Sequence, residues 1–257
     1  MTVLQLLLPG RAEVGNLTTD PEPAVQALAD LYAYPEPVPA RGWVRANMVS
    51  TLDGSATGPG GVSGALGGAA DKATFHVLRG LADVVLVGAG TVRAEGYGVP
   101  QADPAFTERR RSRGQQPAPA LAVVTRSGDV PAGLLDGTTF VVTTTRADLT
   151  RLREQAGPGQ VIVAGDDDVD LDDAVRVLAG RGHRRVLLEG GPSLLGQALA
   201  AGQVDELCLT WAPTLVAGGG PRISHGPEVN LTARPAHLIA AEDVLLGRWL
   251  VQTVPNN

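Results

Sequence analysis

Three short stretches of this 257-residue chain carry residue types suited to holding phosphate beside a reacting centre. The first is LLEGGPSLLGQAL at 187–199. Glu189, Gly190, Gly191 and Pro192 stand between a strand-like run, RRVLL, and a run with Leu194, Leu195, Ala198 and Leu199 at helical spacing. Pro192 suits the first helical position, where a missing N–H costs nothing, and the two glycines let the chain turn without a Cβ. The product is a helix N-terminus with free amides and partial positive charge, a seat for an anion, with Glu189 directed beside it. The same letters also serve as a plain tight turn between strand and helix.

The second stretch, LVGAGTVRAEGYG at 86–98, runs from a strand through Gly88, Ala89, Gly90 and Thr91 into a short helix with Arg93 in its first turns. It resembles the dinucleotide fingerprint G-x-G-x-x-G, although Arg93 takes the sixth position and no acidic residue follows a strand about twenty residues on. The third, VVTRSGD at 123–129, ends a strand in Thr125, Arg126 and Ser127. A guanidinium fork with two hydroxyls suits a phosphomonoester, and a solvated turn closed by Gly128 is the alternative. Two helix N-termini for a pyrophosphate and an Arg-Ser cluster for a 2′-phosphate are together the parts of an NADP site.

The elements that must position these loops alternate. Strands are expected at 43–50, 83–88, 120–125, 139–145, 160–165, 184–189 and 205–211, and helices at 71–82, 148–155, 171–182 and 192–202. A hairpin-like pair at 236–243 and 247–254 closes the chain. Apolar strands alternating with helices imply an α/β fold with a mainly parallel central sheet covered on both faces, and the closing pair implies an antiparallel edge. Ligands in such a fold collect at the carboxyl ends of the strands, where all three loops fall. Residues 1–40, rich in proline and acid with one helical candidate at 23–32, read as an arm laid over a main domain at 41–257. The polar run 101–120 reads as a long mobile loop.

Composition narrows the function. Apolar residues at 44% and charged residues at 19% describe an ordinary globular chain, and a net charge of −6 argues against nucleic acid or an anionic membrane as partner. The start lacks a secretory signal pattern and no stretch reaches membrane-spanning length, which makes the cytoplasm the expectation. Cys208, the single cysteine, reads as a buried apolar residue. His76, His183, His225 and His237 show no ligand spacing, so no metal is expected. The acidic run at 165–174 reads as a solvated helix start, and GVSGA at 61–65 places its second glycine one position early for a nucleophile elbow, so a hydrolase is set aside.

In order and spacing, NMVSTLDGSAT, LRGLADVVLVGAGTVRAEG, LAVVTRSG and VLLEGGPSLLGQALAAGQVDELCLTWAPTLVAGG resemble the reductase domain of the riboflavin-pathway bifunctional deaminase-reductase, from residue 42 to about residue 254. The resemblance implies a dihydrofolate-reductase-like fold with helices on both faces of the sheet and a C-terminal antiparallel hairpin. It implies NADPH as hydride donor and a substrate like 5-amino-6-(5-phosphoribosylamino)uracil, whose ribose C1′ is reduced to give a ribityl chain. Ser50, Ala65, Thr91, Glu95 and Ser127 would line the cofactor with the run from Gly191 through Pro192, Ser193, Leu194 and Leu195 to Gln197. Those residues join Gly88, Gly90, Thr125, Arg126 and Gly190, which the loop chemistry singles out. Ser63, Arg79 and Glu189 would face the substrate. A homodimer is expected, because the apolar stretches VDELCLTWAPTLVAGG at 204–219 and GRWLVQTV at 247–254 carry few edge-protecting charges and the family pairs through this region. The zinc deaminase half is not expected, since its chemistry needs H-x-E and C-x-x-C.

The chain departs from the family pattern at Ser55, where a basic residue is usual after LDG, and at Ala65, where a tryptophan is usual. AEGYGVPQADP replaces the family's D-D-P-x-L-x-x-R run and removes a phosphate-binding arginine, for which Arg109, Arg110, Arg111 or Arg113 is a candidate substitute. Asp53 and Glu189 are the candidate proton sources, with water an equal alternative and a turn role an alternative for Asp53. Two rivals remain: a dihydrofolate or pterin reductase of the same fold, and a catalytically idle NADP-binding protein.

Overall fold

The computed structural model describes residues 1–58, 60–64 and 66–252, so Ala65 and the last residues of the expected closing strand lie outside the described residues. In chain order the elements are β1 (Val3–Leu8), β2 (Ala12–Asn16), α1 (Pro21–Leu31), β3 (Trp43–Thr51), α2 (Gly68–Leu81), β4 (Val84–Gly88) and α3 (Ala89–Glu95). Then come α4 (Thr107–Ser112), β5 (Ala120–Val124), β6 (Phe140–Thr143), α5 (Leu149–Ala156), β7 (Val161–Val163), α6 (Leu171–Gly180) and β8 (Arg185–Leu188). α7 (Pro192–Ala200), β9 (Glu206–Ala212), β10 (Thr232–Ala241) and β11 (Val244–Gln252) complete the described chain.

The strands form one sheet in the order β2-β1-β10-β11-β9-β3-β8-β4-β5-β6-β7. From β9 to β7 every pairing is parallel, and from β9 outward to β2 every pairing is antiparallel. The parallel strands are apolar on both faces because helices cover both: Leu28 of α1, Val77 of α2, Val92 of α3 and Leu152 of α5 pack on one side, and Leu178 of α6 and Leu195 of α7 on the other. The acidic run before α6 acts locally, with the Asp170 carboxylate accepting from the Asp173 N–H as an N-cap. Cys208 is buried, and burial pushes its thiol up to about 12.

Three expectations are corrected. Residues 1–40 are built into the sheet as β1 and β2, with Leu4, Ala24 and Leu28 fully buried. Arg248 fastens the end of α1 by donating to the carbonyls of Leu31 at 2.7 Å and Ala33 at 3.1 Å, while Glu206 accepts from both Arg248 and the buried Arg45. The run 101–120 contains α4 and is pinned by fully buried Phe106 and by Arg110, which donates to the carbonyls of Gly80 at 3.0 Å, Ala82 at 2.7 Å and Gln116 at 2.7 Å. Finally, β9 and β11 are interior strands, each hydrogen-bonded on both sides, so neither is an open edge.

Candidate active site

At the carboxyl ends of the parallel strands two adjoining depressions open. A cleft of about 410 Å³ lies between the end of β3, the outward stripe of α2, α3 and Glu189. A groove of about 540 Å³ lies between α3, the loop after β5 and the first turn of α7.

α2 sets the cleft because its two faces differ. Ala70, Thr74, Val77, Leu78 and Leu81 are buried against the sheet, which leaves Asp71, Phe75 and Arg79, four residues apart, on the cleft side. Arg79 meets Glu189 bidentately, Nε to Oε1 and Nη2 to Oε2, both at 2.7 Å. The Tyr97 hydroxyl donates to the same Oε2 at 2.8 Å, and the guanidinium lies 4.3 Å from the Phe75 ring centroid and 5.2 Å from that of Tyr97. Burial works against the Arg79 charge, yet hydrogen bonding and the Glu189 charge outweigh it and raise its pKa. Burial, reinforced by Glu189, pushes the Tyr97 phenol up as well, so it stays a donor. Both Glu189 oxygens are engaged, and they hold Arg79 and Tyr97 in the cleft wall.

Asp53, the other candidate proton source, does not reach the cleft. It stands in an exposed turn outside the cleft lining, where Oδ1 accepts from the Thr51 hydroxyl and Oδ2 from the amides of Val216 at 3.1 Å and Ala217 at 2.6 Å. The Thr51 and Ala217 hydrogen bonds lower its pKa. It ties its turn to the loop after β9.

Ser63 reaches the cleft, its amide and hydroxyl both donating to Glu95 Oε1 at 3.0 Å. Thr91 lines it too, whereas Ser50 is buried with its hydroxyl on the Thr51 carbonyl. The groove gathers Gly88, Gly90, Thr125, Arg126, Ser127, Ser193, Leu194 and Gln197. Leu195 does not reach it, being turned into the core at 1% exposure because helical period sets it opposite the groove side. Pro192 opens α7, its carbonyl accepting from the His225 amide at 3.0 Å.

The backbone of the groove is shaped for close approach. Gly190 has φ +81°, and its carbonyl accepts from the Gly88 amide at 2.8 Å, which brings the two loops together. A Cβ on Gly191, the N-cap of α7, would stand 2.7 Å from Thr91 Oγ1. At Gly90 an added Cβ would meet nothing within 4 Å. The bare turns, the first amides of α7 and the nearby Arg126 fit a phosphate-bearing dinucleotide. Among the described residues the Arg126 side chain pairs only with Asp168, an exposed contact at 3.2 Å that a phosphate can replace.

None of the arginines expected to replace the family's phosphate ligand lines the cleft or the groove. Arg109 pairs with Asp30, Arg111 with Glu108 and Arg113 with Glu36, while Arg110 is buried on carbonyls preceding β4, at the amino end of that strand. The sequence reading missed Asp71, Lys72, Phe75 and Tyr97 as cleft residues. The available signal was the four-residue spacing on α2, which is silent about which stripe meets the sheet. Among the described residues no helix is long and apolar enough to cross a membrane, and no group of three or more His, Cys, Asp or Glu could hold a metal ion.

Comparison with known proteins points one way. The family model of the RibD C-terminal domain matches residues 42–245. The 2,5-diamino-6-ribosylamino-4(3H)-pyrimidinone 5′-phosphate reductase of Methanothermobacter thermautotrophicus is 32% identical over 217 residues, covering 82% of this chain and 96% of that protein. A pyrimidine reductase-like protein from Corynebacterium diphtheriae superposes with a TM-score of 0.75 at 28% identity, over 88% of this chain and 99% of the other. The riboflavin biosynthesis reductase of Saccharomyces cerevisiae shares the fold, with a TM-score of 0.59 at 17% identity over 91% of this chain and 100% of that one.

Proposed function

Because the chain belongs to the RibD C-terminal domain family, we propose that it is an NADPH-dependent reductase converting the phosphoribosylamino group of a pyrimidine into a ribitylamino phosphate. The observation that carries this reading is the continuity of groove and cleft through one short helix. α3 turns Gly90 and Arg93 to the groove and Thr91 and Glu95 to the cleft, so a dinucleotide lying along the groove ends beside Glu189 and Arg79.

When bound, the dihydronicotinamide supplies a hydride to the sugar C1′ as the C1′–O4′ bond opens and the ring oxygen takes up a proton. The chain's own work is binding and orientation. Arg126 and Ser127 take the 2′-phosphate, and the bare backbone from Gly191 to Ser193 takes the pyrophosphate. Glu189 fixes the Arg79 guanidinium against Phe75 and Tyr97, forming a wall that holds the sugar and keeps water from it.

The test is oxidation of NADPH and of NADH with three substrates: a 2,5-diamino-6-ribosylaminopyrimidinone 5′-phosphate, its 2-oxo counterpart and dihydrofolate. Turnover of a ribosylaminopyrimidine with preference for NADPH is expected. Turnover of dihydrofolate alone, or of none of the three, overturns the proposal.

A further inference from the structure

Among the described residues two cleft carboxylates keep an oxygen that accepts no hydrogen bond, Asp71 and Glu95, and Asp71 is the one fastened to a strand of the sheet. Glu95 accepts from Ser63 twice through Oε1 on α3, where groove and cleft meet, and Glu189 is filled by Arg79 and Tyr97. Asp71, half-buried on the cleft side of α2, accepts from the Thr210 hydroxyl of β9 through Oδ1 at 2.6 Å, and its Oδ2 accepts no hydrogen bond among the described residues. Its place is made by Gly67, where an added Cβ would stand 2.2 Å from Asp71 Cγ. A strand hydroxyl on one side and a side-chain-free helix start on the other therefore hold this carboxylate at the cleft wall. Ser55, the residue standing where the resembled family has a basic group, turns its hydroxyl to the Thr57 carbonyl at 2.8 Å, so ring recognition must come from elsewhere in the cleft.

We infer that Asp71 reads the 2-position of the substrate heterocycle and selects a 2-amino-4-oxopyrimidine over the corresponding uracil. An ionised carboxylate only accepts, and each oxygen has room for more than one donor, so the Thr210 bond leaves Oδ1 able to take another. The 2-amino-4(3H)-pyrimidinone edge presents two parallel donors, the N3–H and the 2-amino group, which meet both carboxylate oxygens as a guanidinium does. The corresponding edge of the uracil presents its N3–H flanked by two carbonyl oxygens, while its N1–H lies on the side that carries the sugar-bearing 6-amino group. One carboxylate oxygen then faces another oxygen and is left desolvated without a donor. Burial raises the Asp71 pKa, opposed in part by the Thr210 hydrogen bond and then by the charge of Lys72, which shares the cleft. The inference rests on the reductase reading above for its turnover measurement and not for its binding measurement.

Asp71→Asn tests it, because the amide replaces one acceptor by a donor and so matches the N–H and carbonyl pair of a uracil. Calorimetry in the presence of NADPH compares the free rings 2-aminopyrimidin-4-one and uracil, which carry no sugar or phosphate and no 6-amino group to form a second donor pair with N1–H, while NADPH oxidation is followed with the two ribosylamino phosphates. Wild-type protein is expected to favour the 2-amino ring by about 30-fold, the scale of a charge-assisted hydrogen bond. Asp71→Asn is expected to weaken the 2-amino ring by a similar factor, to leave uracil equal or tighter, and to keep NADPH affinity within about twofold as evidence of folding. Thr210→Val, which unfastens Asp71 without removing it, should narrow the discrimination at unchanged NADPH affinity, and it carries the test if the Asn variant does not fold. Equal wild-type affinity for the two rings, an Asn variant that loses both equally, or a Thr210→Val protein with unaltered discrimination overturns the inference. A wild type that separates the free rings but oxidises NADPH with neither phosphate supports the role of Asp71 and discards the reductase reading instead.

Discussion

Glu189→Gln removes the charge of the cleft wall while keeping its shape. In the wild type the Glu189 side chain is 2% exposed and Arg79 28% exposed, and the pair makes two parallel hydrogen bonds of 2.7 Å. The amide can accept from only one of the two guanidinium nitrogens and sets its NH2 against the other, so one charge-assisted bond is lost and its site becomes repulsive. Such a bond contributes about 1.5–3 kcal/mol. Partial exposure of Arg79 lets water take over some of the lost contact, which places the stability cost near 1.5 kcal/mol, the lower end of that range. The cost to catalysis is separate, since a released Arg79 no longer fixes the wall that meets the sugar. A loss of roughly tenfold or more in kcat/KM, about 1.4 kcal/mol of transition-state stabilisation, is expected. NADPH affinity should stay within a few-fold, because Glu189 does not line the groove. Thermal melting, NADPH titration and steady-state reduction on one preparation measure the three quantities. A variant with normal turnover and substrate affinity, or one whose NADPH affinity falls as far as its turnover, refutes this account of the wall.

Arg126→Ala should weaken NADPH by about 1.5 kcal/mol, after allowance for the Asp168 pair it already holds, and leave NADH nearly unchanged; equal losses in titration would remove the loop from the 2′-phosphate. Gly191→Val should abolish saturable NADPH binding while the protein remains folded by circular dichroism, because its Cβ would begin 2.7 Å from Thr91 Oγ1 in the turn that the phosphates approach; retained affinity would contradict the cradle. A homodimer is expected through the sheet face on which Leu207, Leu209 and Trp211 of β9 meet Trp249 and Leu245 of β11, with the two indoles stacked edge-on at 6.1 Å and only half-buried. Light scattering at micromolar concentration giving a monomer mass would overturn it.

Much of the central architecture was legible because its signals are local. VVLVG and RVLL declare strands by β-branched and leucine content, Gly-Gly-Pro declares a turn into a helix, and Thr125, Arg126 and Ser127 declare a phosphate-suited strand end. Once the sheet is taken as parallel, these loops must gather at one end of it, as the groove residues do. Hydrogen-bond partners distant in sequence were beyond that reading. β1 became a strand because β10, more than two hundred residues later, offers its edge, and nothing in the composition of residues 1–40 shows that pairing. Arg110 looked like a mobile phosphate ligand until the carbonyls of Gly80 and Ala82 claimed it.

Asp53 and Asp71 show the same division within the site. Both are carboxylates near local turns or helix starts, and the sequence reading singled out Asp53 and passed over Asp71. Tertiary structure separates them: the loop after β9 closes on Asp53 with two amides, while Thr210 of β9 fastens Asp71 at the wall of the cleft. Residue types and periods of two and about 3.6 determine which local shapes the chain takes up, because those depend on neighbours a few positions away. Which carboxylate lines the cleft depends on the register of strands that meet only after the chain has folded, and that register is set by burial of the whole sheet and not by either residue's own surroundings in the sequence.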